Sequence, residues 1–212
     1  AEELGIEIVG EEYVPLDSDD WTTQVAKIAE TKPDFVFNTI NGSSNVGFIK
    51  AYTEAGLGAD NSPIISVSIA EEEAPAMGAD LTGQYASWNY FQSVENPENE
   101  VFIKAFQDKY GADRPTSDPM EAAYVSMYLY KNMVEKAGSF CVDSVNEASD
   151  GVTFQAPEGL VTVNGDNHHI AKTGLIGQIN AENQFDIVWD SGEPIEPDPY
   201  LEAYSWWNPD AE

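Results

Sequence analysis

The chain has 212 residues, 42% of them hydrophobic, with 38 acidic side chains against 9 basic ones and a formal net charge of −29. That length and apolar content suffice for one large or two small cores. The charge excludes nucleic acid and anionic membrane surfaces as partners, because phosphates would be repelled over the whole surface. A dense carboxylate shell is an ordinary solvated surface, and it fits a saline environment, where screening makes it more tolerable.

The opening AEELGIEIVGEEYVPL reads as the end of a helix running into a strand at Ile6–Val9, with no start signal. The expectation is therefore a piece of a longer chain, in which the lack of a targeting segment carries no meaning. Asp20 can cap a helix that carries Trp21, Val25 and Ile28 on one face, and Lys32-Pro33 ends it. DFVFNTI (Asp34 to Ile40) is a short buried-type strand, followed by a helix from about Asn45 to Ala55 closed by Gly56. Ser62 to Ile69 is a further strand, then a short acidic helix from Glu71, then a strand over Gln84 to Gln92. Strands alternating with helices predict a parallel sheet with helices on both faces.

The second half changes character. Helices are predicted at Glu98 to Tyr110, Pro119 to Ala137 and Val142 to Ala148. Short strands follow in TFQAP, GLVTVNGDN, TGLIGQI and QFDIVW, and the tail from Ser191 has no periodicity. The division expected is an α/β unit over 1–92, helices of another body over 93–150, returning strands over 151–190 and an irregular tail over 191–212. The stripe Met120, Tyr124, Met127, Tyr128 is spaced as a core face.

In parallel α/β sheets ligands sit beyond the carboxyl ends of the strands. Two such ends stand out, Ile40-Asn41-Gly42-Ser43-Ser44-Asn45 and Ser66-Val67-Ser68-Ile69-Ala70-Glu71. Each offers side-chain hydrogen-bonding groups together with the free N–H groups of a helix start. Neither holds Lys or Arg, so a neutral or cationic small molecule fits better than a phosphate. Helix capping and turn chemistry account for the same residues. In Ser117-Asp118-Pro119-Met120-Glu121, Asp118 as N-cap, Pro119 at the first helical position and Glu121 three after the cap make a capping box.

The sequence has no GxGxxG, no GxxxxGK and no GxSxG. His168 and His169 are adjacent, an arrangement in which side chains diverge, so neither a shared metal nor a general-base role is expected. Cys141 is alone and lacks a nearby cation, which argues against a reactive thiolate. No cofactor or metal is called for. Asn41-Gly42-Ser43 matches a glycosylation sequon, read here as coincidence.

Seven stretches in order, EYVPLDSDDW, PDFVFNTINGSSN, SVSIAEEE, SWNYFQSVENPEN, SDPMEAAY, FQAPEG and NHHIAK, resemble the substrate-binding proteins of urea ABC transporters. These belong to the Leu/Ile/Val-binding-like branch of type I periplasmic binding proteins. The resemblance runs from about Tyr13 to Tyr200. It implies a two-lobed α/β protein with hinge crossovers, of which this chain is a C-terminal part, located in the periplasm or outside the cell, free or lipid-anchored. It also implies that Asn41, with Gly42 and Ser43 beside it, and Ser68 contact ligand. Glu71 would lie at the mouth of the same corner, and Asp118 and Glu121 at a helix start facing the cleft. Where the family commonly has an acidic residue, this chain has Ser43.

The function implied is a receptor that binds urea and delivers it to an ABC-type membrane permease. Short-chain amides or branched-chain amino acids are the alternative ligands, and an amidohydrolase is the alternative of another class. Urea is uncharged, with four N–H donors and one carbonyl acceptor. Asn, Ser, carboxylate and helix-start N–H groups would match it in a cavity where each unmatched group costs ~1–3 kcal/mol.

Overall fold

The computed structural model describes residues 4–199. Strands β1 (Val36–Asn38), β2 (Ile64–Ser66) and β3 (Tyr85–Trp88) alternate with helices α1 (Thr22–Thr31) and α2 (Ser44–Glu54) and a 3-10 turn at Ala74–Met77. Helices α3 (Pro97–Tyr110), α4 (Asp118–Ala137) and α5 (Val142–Ala148) come next, then strands β4 (Thr153–Ala156), β5 (Gly159–Thr162), β6 (Leu175–Ile179) and β7 (Phe185–Asp190). One sheet has the order β1-β2-β3-β6-β7, and β4 with β5 forms a separate hairpin. β1, β2 and β3 are parallel, as the alternation predicts, and the returning β6 and β7 join antiparallel.

Two hydrophobic cores form. The first packs Trp21 and Val25 of α1 and Phe48, Ile49 and Tyr52 of α2 against Ile64, Ala86, Leu175, Ile179 and Phe185 of the sheet. Phe91, just past β3, stacks on Phe185 at 4.7 Å between ring centroids. Gly177 makes that stacking possible, since a Cβ there would lie 2.8 Å from Phe91 Cζ and 2.9 Å from Phe185 Cβ. The second core joins Val125 and Leu129 of α4 to Val152, Ala156, Val161 and Val163 around the hairpin. α4 packs on α5 and β4.

Several expectations are corrected. Ile6, Ile8 and Val9 form no strand and are exposed: the sheet ends at β1, and this segment does not pair with its free edge. Each parallel strand is shorter than its apolar run, since ladder bonds end where the chain turns into polar corners. Asp20 does accept the Thr22 N–H at 3.1 Å, but the helix cap position falls one residue later, at Trp21. No α-helix starts at Glu71; the chain turns there and then forms the 3-10 segment. Of the stripe on α4, Tyr124 packs against the second core, whereas Met127 is 66% exposed and Tyr128 stacks on Phe154 from outside. Part of the expected irregular tail, over 200–212, lies outside the described residues.

Candidate functional site

The carboxyl ends of β1 and β2 carry a neutral polar network. Asn38 Nδ2 donates to Asn45 Oδ1 at 3.0 Å and to Ser66 Oγ at 3.4 Å. Asn45 Nδ2 donates to the Ile40 carbonyl at 2.6 Å and to Ser68 Oγ at 3.3 Å. Ser66 and Ser68 hydroxyls lie 3.3 Å apart. Asn38, Asn45 and Ser66 are buried and Ser68 half-buried. Asn38 did not stand out in the sequence, and Asn45 did so only as a corner residue and helix start, because a buried Asn and a turn Asn look alike there.

Asn41, Gly42 and Ser43 sit outside this network, exposed on the corner. Asn41 Nδ2 donates to the Thr39 carbonyl at 3.2 Å, and Ser43 Oγ donates to Asp17 Oδ1 at 2.9 Å. Ser43 holds the cap position of α2 without a side-chain cap bond. Gly42 adopts a φ of 65°, the left-handed conformation that glycine reaches at least cost.

A second, acidic cluster lies one strand over. After β3 the chain crosses toward α3 through Asn89–Gln92. Asp118 Oδ2 accepts the N–H groups of Asn89 and Tyr90, both at 3.0 Å. Glu71 Oε1 accepts the Gln92 N–H at 2.6 Å. Ser117 Oγ donates to Glu72 Oε1 at 2.6 Å, and Glu121 Oε1 accepts the Glu158 N–H at 3.4 Å. The capping box is thereby corrected: Ser117 is the cap, and the Asp118 and Glu121 carboxylates turn away from their own helix toward the crossover and the hairpin turn. Lys172 Nζ pairs with Glu158 Oε1 at 2.8 Å and stands 4.0 Å from Glu121 Oε2.

This cluster is electrostatically loaded. Glu71 and Glu121 are 1% and 0% exposed. Burial, reinforced by carboxylate neighbours, pushes each up to about 8. Burial also raises Asp118 and Glu158, against the lowering effect of Lys172. Burial acts to lower Lys172, but Glu158, Glu121 and Asp118 together outweigh it and hold the ammonium above its ordinary value. Glu71 Oε2, Glu72 Oε2, Glu121 Oε2 and Glu158 Oε2 are buried without a hydrogen-bond partner. The arrangement therefore has acceptors in excess.

The sequence expectations divide accordingly. Glu71, Asp118 and Glu121 come together in one cluster, Ser68 belongs to the neutral network, and Asn41, Gly42 and Ser43 join neither. Glu71 is buried beneath the corner, with the half-buried Glu72 nearer its surface. Glu158 and Lys172 were missed, although both lie in the stretches FQAPEG and NHHIAK. His168 and His169 bond different partners, Ser149 Oγ and the Asn167 carbonyl. Among the described residues no group of three or more His, Cys, Asp or Glu is arranged to hold a metal ion, and no helix is long and apolar enough to cross a membrane.

A parallel sheet with polar corners at its strand ends, crossing into a second helical body and returning by antiparallel strands, defines the α/β architecture of type I periplasmic binding proteins. The family model described as "Periplasmic binding protein domain" matches residues 1–205, and the chain belongs to that family.

Among curated proteins it is similar to "Limonene hydroxylase" of Geobacillus stearothermophilus, 33% identical over 119 residues, which are 56% of this chain and 22% of that protein. It is also similar to "Leu/Ile/Val-binding protein homolog 6" of Brucella melitensis, 26% identical over 84% of this chain and 46% of that protein. Among solved structures it resembles an ABC transporter solute-binding protein of Rhodopseudomonas palustris in complex with p-hydroxybenzoic acid. That match has a TM-score of 0.82 and 23% identity, over 96% of this chain and 56% of the other. The leucine-, isoleucine-, valine-, threonine- and alanine-binding protein of Brucella ovis matches with a TM-score of 0.76 and 17% identity, over 92% and 53%. The chain thus spans about half the length of these solved relatives.

Proposed function

We propose that this chain is the second half of a two-lobed solute receptor that serves an ABC-type permease from the periplasm or the cell exterior, binding without chemical conversion. The carrying observation is the meeting of the Glu71–Glu72 corner with the start of α4 at the carboxyl ends of the sheet, through the Ser117–Glu72 and Asp118–Asn89/Tyr90 hydrogen bonds. That is where ligands enter parallel α/β sheets. Membership in the periplasmic binding protein family supports the same reading.

The ligand proposed is a small, uncharged, donor-rich molecule of the urea or short-chain amide class. The Glu72 carboxylate oxygen without a partner favours a ligand rich in N–H donors. A branched-chain amino acid, suggested by the printed names of two relatives, would bring a carboxylate toward several others. Its own carboxylate would have to find helix-start N–H groups instead. The activity in the printed name of the Geobacillus relative stays with that protein, since the match spans 22% of it.

Calorimetric titration of the two-lobed protein with urea, acetamide and leucine is the test. Binding of urea or acetamide with no heat from leucine is expected. Binding of leucine alone would overturn the ligand class, and ammonia release from urea would overturn the receptor reading.

A further inference from the structure

The two cores meet at a polar junction held by buried carboxylates. Glu71 and Asp118 grip the crossover through the N–H groups of Gln92, Asn89 and Tyr90, while Glu121 grips the hairpin turn through the Glu158 N–H. Every element packed there contributes acidic groups, carboxyls or neutral phenols. The corner after β2 contributes Glu71, Glu72 and Glu73, the crossover Tyr90, α4 Asp118, Glu121 and Tyr124, and the hairpin turn Glu158. Lys172 is the one cation among the described groups facing them. Four carboxyl oxygens there are buried with no hydrogen-bond partner, and full ionisation would leave more buried negative charge than Lys172 can compensate.

We propose that this junction is a proton-held latch: Glu71 and Glu121 keep the crossover docked on α4 and the hairpin while protonated, and the bodies part when both ionise. The burial that lifts both carboxyls to about 8 supports it. The sign follows. The docked form holds protons that the opened form, with carboxyls near their ordinary values, has already released. Docking is therefore strongest at low pH and is lost as pH rises through about 8. The N–H bonds to Glu71 (2.6 Å) and Glu121 (3.4 Å) remain available to either protonation state, so opening is a shift in population. On the reading above that this junction lines the ligand cleft, alkaline pH would favour the open, ligand-releasing form.

Native-state hydrogen exchange of the Tyr90 and Gln92 amides in the 212-residue chain tests the latch with no ligand present, so it stands apart from the receptor reading. After correction for the intrinsic rate, exchange of both amides should rise more than tenfold between about pH 6 and 8 and level off above about pH 9. Surface carboxylates stay ionised throughout that window and leave the background flat. The variant Glu71→Gln/Glu121→Gln should flatten the rise. A pH-independent exchange in the unmodified chain, or an equal rise in the double variant, would overturn the latch. Should the double variant not fold, carbon-13 titration of the Glu71 and Glu121 carboxyls in the unmodified chain decides. Midpoints near about 8 are expected, and midpoints near the ordinary ~4.3 overturn it.

Discussion

Two polar clusters lie side by side at the strand ends, and they are built on opposite principles. The network of Asn38, Asn45, Ser66 and Ser68 is neutral and its members largely satisfy one another. The cluster of Glu71, Glu72, Asp118, Glu121 and Glu158 has one facing cation, Lys172, and buried oxygens left over. A closed network of this kind fixes the shape of a corner. An open one retains hydrogen-bonding capacity that a ligand or a proton can use. Under the proposed function, the first cluster holds structure and the second takes part in recognition.

The largest effect expected is at Lys172. Lys172→Met keeps the stem's packing but leaves Glu158 and Glu121, whose side chains are 2% and 0% exposed, without their cation. A loss of about 3–5 kcal/mol in urea-free denaturation, by guanidinium or heat, is expected. A loss under about 1 kcal/mol would mean the junction carries its charge by protonation alone.

Asn45→Ala comes next, because it removes three hydrogen bonds of the neutral network and leaves Asn38 short of an acceptor. It should cost about 1–3 kcal/mol of stability in a thermal melt. Smaller still is Ser43→Ala. Ser43 makes no cap bond and only an exposed contact to Asp17, so the cost should stay below ~0.5 kcal/mol, at the bottom of the range for a true cap. A larger loss would show that the α2 start depends on it after all.

The order of elements was legible in the sequence wherever local signals sufficed. The end of α4 coincides with the last residue of its apolar spacing, and Gly138 beyond it adopts the left-handed φ of 62° that such an end favours. The Ile6–Val9 strand was not, because a strand exists only with a partner and a β-like pattern cannot report whether one is present. The capping box failed for a related reason. Asp118 and Glu121 have the right spacing for local bonds, yet the crossover and the hairpin turn, 28 or more residues away in sequence, compete for the same oxygens and win. Of the site, Glu71 stood out by its strand-end corner and Asp118 and Glu121 by their capping spacing, and the family resemblance placed all three at the cleft. Glu158 sits in the hairpin turn and Lys172, 14 positions on, in a lone bridge to Ile195, and only folding makes them a pair.

The assignment of recognition to the acidic cluster is tested most directly by titrating urea into the two-lobed protein and its Glu72→Gln and Asn45→Ala variants. Glu72 offers a buried, unpartnered oxygen beside Ser117. Its substitution should weaken binding about tenfold with little change in melting temperature. Asn45→Ala should melt early and bind as the unmodified protein does. The reverse pattern, normal affinity in Glu72→Gln and lost affinity in Asn45→Ala, would contradict the account.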